Sequence, residues 1–148
     1  MKKILITILV SFIVSTSYSA GTDSGDETNY GEDYKSAVKL IIKKKYDNAI
    51  EKLMDLVDVS SSDFTKADVL NEIGFAFRKN NDLDNASKYY LMALSEDPNH
   101  LGALEYQGEM FVDLGQKDNA LANLNKLKDL VGENNSYYKE LDSYISRN

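Results

Sequence analysis

The chain has 148 residues, 43% of them hydrophobic, with one proline, eight glycines, no cysteine and a formal charge of −7. The apolar share is enough to build a core, and so little proline and glycine leaves few turn signals for an all-β fold. Lack of cysteine excludes disulfides, thiol catalysis, Cys-ligated zinc and lipid attachment through an N-terminal cysteine. The acidity opposes binding of nucleic acid or anionic lipid over most of the surface.

The first element reads as an export signal. Lys2 and Lys3 form a positive head, Ile4 to Val14 is apolar except for Thr7 and Ser11, and Ser15 to Ala20 is small and polar apart from Tyr18. This is the three-part layout of a secretory signal peptide. The apolar stretch is well short of the roughly 20 residues that a membrane-crossing helix needs. Ser17 and Ser19 supply the small residues required before the cut, so residues 1–19 are expected to be removed. A cut after Ala20 ranks second because it places Tyr18 at a restricted position. N-terminal sequencing of exported protein should therefore begin at Ala20, whereas Met1 retained on exported material would mean an anchor. Loss of Lys2 and Lys3, the only charges in that segment, takes the formal charge from −7 to −9. Residues 20–31 are acidic, glycine-rich and nearly free of apolar side chains, which predicts a flexible linker.

Two helices are expected next, near 32–43 and 46–58, with Ala37, Leu40, Ala49, Leu53 and Leu56 in helical rhythm. The basic run Lys43-Lys44-Lys45 falls between them and reads as a solvated helix end. The polar stretch Ser60-Ser61-Ser62-Asp63 is a loop. Helices near 66–79 and 82–95 follow. The first carries Leu70, Ile73, Gly74 and Phe77; the second carries Ala86, Tyr90 and Ala93, with Asp82 as its cap and Pro98 closing the unit. The pattern then recurs 34 residues on. Leu104, Gln107, Gly108 and Phe111 mark a helix near 99–113, and Ala120, Leu124 and Leu127 mark one near 116–131, with Gly115 and Gly132 placed to end them in left-handed turns. The earliest set lies 37 residues before the middle one.

A large apolar residue, then an apolar-small pair, an aromatic, Ala-x₃-aromatic and a closing proline form the tetratricopeptide-repeat (TPR) pattern. The chain resembles that family over residues 32–132, as three repeats at about 32–63, 66–98 and 99–132. Its layout is similar to that of small secreted bacterial TPR proteins. The resemblance implies an all-α solenoid of three helical hairpins. Gly74 and Gly108 lie mid-helix, where glycine costs about 1 kcal/mol against alanine. That suggests a close helix approach, with Ala86 and Ala120 facing it. Tyr137, Tyr138, Leu141, Tyr144 and Ile145 recur at helical spacing, so residues 133–148 are expected to supply a capping helix near 136–147.

Catalytic chemistry is sparse. His100, the sole histidine, has no cysteine to share a metal with and reads as a local turn residue. Glu105 and Glu109 share a helix face but lack a second constellation, and no glycine-rich phosphate loop occurs. No cofactor and no enzymatic activity are expected. The resemblance implies that the first helix of each hairpin lines a concave groove. Tyr34, Val38 and Ile41 would face it from the first repeat, Asn71, Phe75 and Arg78 from the second, and Glu105, Glu109 and Val112 from the third. Tyr34 and Val38 stand where a carboxylate-binding groove of this family would place lysine and asparagine, which disfavours that mode. The functional expectation is an exported, periplasmic or secreted adaptor or scaffold that binds a protein or peptide in the groove. It excludes nucleic acid and stable membrane insertion after signal cleavage. The alternative is a self-associating structural module of the cell envelope, a homo-oligomer.

Overall fold

A computed structural model describes residues 29–148, so the signal segment 1–19 and most of the linker lie outside the described residues. Seven helices follow in order: α1 (Tyr30–Ile42), α2 (Tyr46–Met54), α3 (Lys66–Lys79), α4 (Leu83–Glu96), α5 (Leu101–Asp113), α6 (Lys117–Val131) and α7 (Ser136–Arg147). Consecutive pairs form three hairpins, and α7 packs on both α5 and α6. The fold is an all-α helical repeat.

Local chemistry fixes the starts. Thr65 opens α3 with a reciprocal box: its hydroxyl accepts from the Asp68 amide at 3.1 Å, and Asp68 Oδ2 accepts from the Thr65 amide at 2.7 Å. Asp82 caps α4 as expected, accepting from the Asn85 amide at 3.1 Å. His100 caps α5 through Nδ1, which accepts from the Ala103 amide at 3.0 Å. That ring nitrogen is therefore unprotonated, so Nε2 carries the hydrogen and donates to Asp68 Oδ1 at 3.0 Å.

Three boundaries depart from expectation by two residues or more, one of them that of α5, expected from 99 and begun at Leu101 behind the His100 cap. The helix predicted from residue 32 begins at Tyr30, because Asn29 accepts from the Glu32 amide and nucleates the turn two residues early. Tyr30 and Gly31 thus belong to α1 and not to the linker. Gly31 is buried against the Asp63 carboxylate, which occupies the space a Cβ would need. The helix predicted to reach 58 stops at Met54. Tighter bonds from Leu56 to Leu53, Val57 to Met54 and Val59 to Leu56 carry the chain onward while keeping Leu56 in the core.

The three hairpin turns share one construction. Lys44, Asn81 and Gly115 each adopt positive φ, at 58°, 62° and 71°. The next amide in each case reaches back five residues: Lys45 to Leu40, Asp82 to Phe77 and Gln116 to Phe111. This satisfies carbonyls that the helix end leaves free. The equivalence places α1 and α2 firmly as a repeat, although their sequence match is the weakest. Gly132 also has positive φ, 79°, but its ψ of 166° makes it an extended exit and not the compact left-handed turn expected.

Ala49, Ala86 and Ala120 are all fully buried at the hairpin contacts. Gly74 makes room for Tyr90: a Cβ there would lie 2.8 Å from the ring's Cδ1. Gly108 has a different partner from the one repeat symmetry implies. Its missing side chain is replaced by Leu141 of α7, whose Cδ2 would meet a Cβ at 2.5 Å. The last helix is seated on the α5–α6 hairpin, covering the face that a further repeat would cover.

Candidate functional site

The first helices α1, α3 and α5 line the inner face. Tyr34 of α1 is half-buried and stacks on Phe64, with ring centroids 4.9 Å apart. Phe75 of α3 is half-buried and meets Tyr106 of α5 at 4.7 Å with the planes tilted 46°. Lys79 holds its ammonium 5.0 Å from the Phe75 ring centroid. These two ring pairs, one at the first repeat and one joining the second repeat to the third, make up the aromatic strip of this face. Val38 and Val112 are half-buried, whereas Ile41 is buried in the core that α1 shares with α2 and α3.

Arg78 sits differently from the accessible anchor that its inward register suggests. Its side chain is only 4% exposed. Nε donates to Asp113 at 2.8 Å, Nη1 donates to Glu109, and Nη2 donates to the Tyr144 hydroxyl at 3.1 Å. Tyr144 in turn donates to Asp113 at 2.6 Å, and its ring lies 5.3 Å from the guanidinium. One arginine therefore ties α3 to α5 and α7. Glu109 is consumed by this cluster, so the Glu105–Glu109 pair is not a free acid–base couple.

Three acceptors in the groove are left without a cation. Asn71 is 4% exposed and its Nδ2 donates to Glu72 Oε1 at 3.4 Å, which leaves the buried Oδ1 without a partner. Glu72 is half-buried and Glu105 buried. Neither takes part in an ion pair among the described residues. Burial, reinforced by the Asp68 charge, pushes the Glu72 carboxyl up to about 7. Burial, reinforced by Glu109 and Glu140 and opposed by Arg78, pushes Glu105 up to about 8. Burial also raises the phenols of Tyr34 and Tyr106, and the neighbouring carboxylates add to it: Glu72 and Asp68 for Tyr34, Glu105 and Glu72 for Tyr106. The Glu72 charge thus acts on both tyrosines.

The Glu105 shift has a consequence for stability. A raised folded-state value means the folded chain binds more protons than the unfolded one between pH 4.5 and about 8. Stability therefore falls as pH rises through that window. Glu105→Gln should flatten the fall and raise the melting temperature at the alkaline end. Thermal melts of both proteins across the window check it; parallel curves would remove Glu105 from the buried, unpaired state assigned here.

Sequence reasoning placed Asn71, Phe75, Glu105 and Glu109 on the inner side and missed Glu72 and Tyr106. These two are related by the same 34-residue shift and directly follow Asn71 and Glu105. That shift marks them as equivalent positions but does not show which of two neighbouring residues faces the groove. Asp113 and Tyr144 were missed because their role depends on where α7 docks. The histidine forms only a cap and its bond to Asp68, and among the described residues no group of three or more His, Cys, Asp or Glu could hold a metal. No described helix is long and apolar enough to cross a membrane.

The tetratricopeptide-repeat family profile matches residues 67–100, the α3–α4 hairpin and its closing turn. No curated protein matches the sequence. Among solved structures, the chain is similar to PcrH, crystallised in complex with the chaperone binding region of PopB. The TM-score is 0.65 at 16% identity, over 82% of this chain and 94% of that one. With one repeat matched in sequence, three turns of one construction and a shared solved fold, the chain carries a tetratricopeptide repeat and has the tetratricopeptide-repeat fold.

Proposed function

We propose that the chain is an exported, non-catalytic adaptor that holds an extended segment of a partner protein in its concave groove. The carrying observation is the half-buried aromatic strip of Tyr34, Phe75 and Tyr106, presented by three first helices that their hairpin partners and α7 hold in place. Rigid aromatics supply contact area at low entropic cost and carry much of the energy of protein interfaces. PcrH, of the same fold, was solved with a region of PopB bound, which supports a peptide-like occupant here. Export rests on the N-terminal layout, and the periplasm or the medium is the proposed location.

Capture of partners from the exported fraction, followed by affinity measurement on the protein recovered, tests the reading. Phe75→Ala and Tyr106→Ala should each weaken binding by about 2 kcal/mol, roughly thirtyfold, with the helical circular-dichroism signal intact. Lys88→Ala, an exposed change on α4, should leave binding unaltered. Loss with Lys88→Ala and retention with both groove variants would move the interface off the concave face.

Self-association is the second reading. Leu91 of α4 is 60% exposed, with Met92 beside it and Leu121, Leu130 and Val131 on α6 also exposed, an apolar surface outside the groove. Sedimentation of the purified chain distinguishes it, since a monomer at micromolar concentration removes its basis.

A further inference from the structure

We propose that the groove selects partner segments by their basic side chains, seating a lysine ammonium or arginine guanidinium at the unpaired carboxyls of Glu72 and Glu105 along the aromatic strip. This rests on the groove reading above and specifies the chemistry of its occupant.

The groove has acceptors in excess of donors. Among the described residues its one buried cation is Arg78, which donates to Glu109, Asp113 and Tyr144. Among the described residues neither Glu72 nor Glu105 forms an ion pair; Asp68 adds to the negative field at Glu72, and at Glu105 the charges of Glu109 and Glu140 add to it while Arg78 offsets it only in part. The acidic side chains alone would be only a solvated face, but Asn71 gives an independent sign. Its Oδ1 is buried with no donor, on a side chain whose Nδ2 faces Glu72. In this orientation the amide nitrogen donates to the Glu72 carboxylate. A buried acceptor without a donor is costly, and occupancy by an N–H group relieves it. Ammonium and guanidinium groups are donor-only, with three and five hydrogens. The strip itself already accepts a cation, since Lys79 lies over Phe75. A metal ion fits less well, because no cluster of three or more such ligands exists among the described residues.

Burial favours the neutral form of both carboxyls. An arriving cation favours their ionised form, so the charge pair forms in a desolvated site, where it counts for more than on the surface. An acidic or neutral segment gains nothing comparable and leaves Glu72 and Glu105 uncompensated.

The probe is a random dodecapeptide display library panned on the purified chain, with selected sequences resynthesised and measured by fluorescence anisotropy. The expected winners carry lysine or arginine within an otherwise apolar sequence. Their binding should weaken by about tenfold or more with Glu72→Gln combined with Glu105→Gln, and by a similar factor when the peptide's basic residue becomes glutamine. The glutamine variants remove unpaired charge, so melting temperatures at or above that of the parent are expected and separate lost recognition from lost folding. Peptides that need Phe75 but are neutral or acidic, or that ignore the two glutamine changes, would overturn the basic preference and leave the groove reading standing. Winners indifferent to Phe75→Ala, or no winners at all, would overturn the groove reading and this inference with it.

Discussion

Arg78→Ala is expected to destabilise the fold by about 3–5 kcal/mol, the usual result of removing one partner from a buried ion pair. The arginine side chain is 4% exposed and Glu109 only 14%. Truncation leaves Glu109 facing Asp113 with no positive charge between them, and it strips the Tyr144 hydroxyl of its donor from Arg78. Part of the loss is cooperative, because the same guanidinium joins α3, α5 and α7. Hydrogen exchange should therefore show α7 losing protection along with α3. Urea denaturation measures the magnitude. A loss below about 1 kcal/mol would be typical of a surface pair and would contradict the burial described here.

Gly74→Leu is expected to cost about 3 kcal/mol, the upper end for overpacking a core. Even the first added carbon would lie 2.8 Å from Cδ1 and 2.9 Å from Cε1 of the Tyr90 ring. That ring is fully buried, in a cluster with Ala86 and Met110, so it has nowhere to turn. Leucine is the better helix former by close to 1 kcal/mol, which works in the opposite direction. The sign of the change therefore decides between packing and propensity. A lower melting temperature supports the close approach of α4 to α3, and an unchanged or higher one would refute it.

The parts of the fold that were legible in the sequence are those set by short-range periodicity. Gly74 recurs as Gly108 and Ala86 as Ala120, a pattern that predicts close helix approach, and the structure puts Tyr90 against Gly74. Capping was legible for Asp82 because its side chain bonds three residues away. The first repeat was harder to see. Its turn residue is Lys44, which reads as one of three lysines and carries no trace of its positive φ, while its counterpart in the third repeat is glycine. The premature end of α2 was also hidden, since Leu56 keeps helical spacing while the backbone tightens around it.

The candidate site was legible in register but not in accessibility. Helical phase turns Arg78 and Glu109 inward, yet phase alone does not show that Asp113 and Tyr144 would claim the arginine. That outcome requires α7 to dock against α5, at the gap left by Gly108, and the docking spans more than thirty residues of sequence. Glu72 and Tyr106 escaped for a related reason. Each lies one residue beyond an expected groove position, and only the packing of neighbouring repeats decides which of two adjacent residues faces the ligand.

Site-specific photocrosslinking tests the central claim, that a partner lies along the concave face, most directly. Benzoylphenylalanine is placed at Phe75 in one protein and at the outward Leu91 in another, and each is irradiated during capture of the partner. The account predicts an adduct from position 75, mapping by mass spectrometry to one extended segment of the partner, and little or none from position 91. An adduct from position 91 with none from position 75 would contradict it and place the partner on the outer surface.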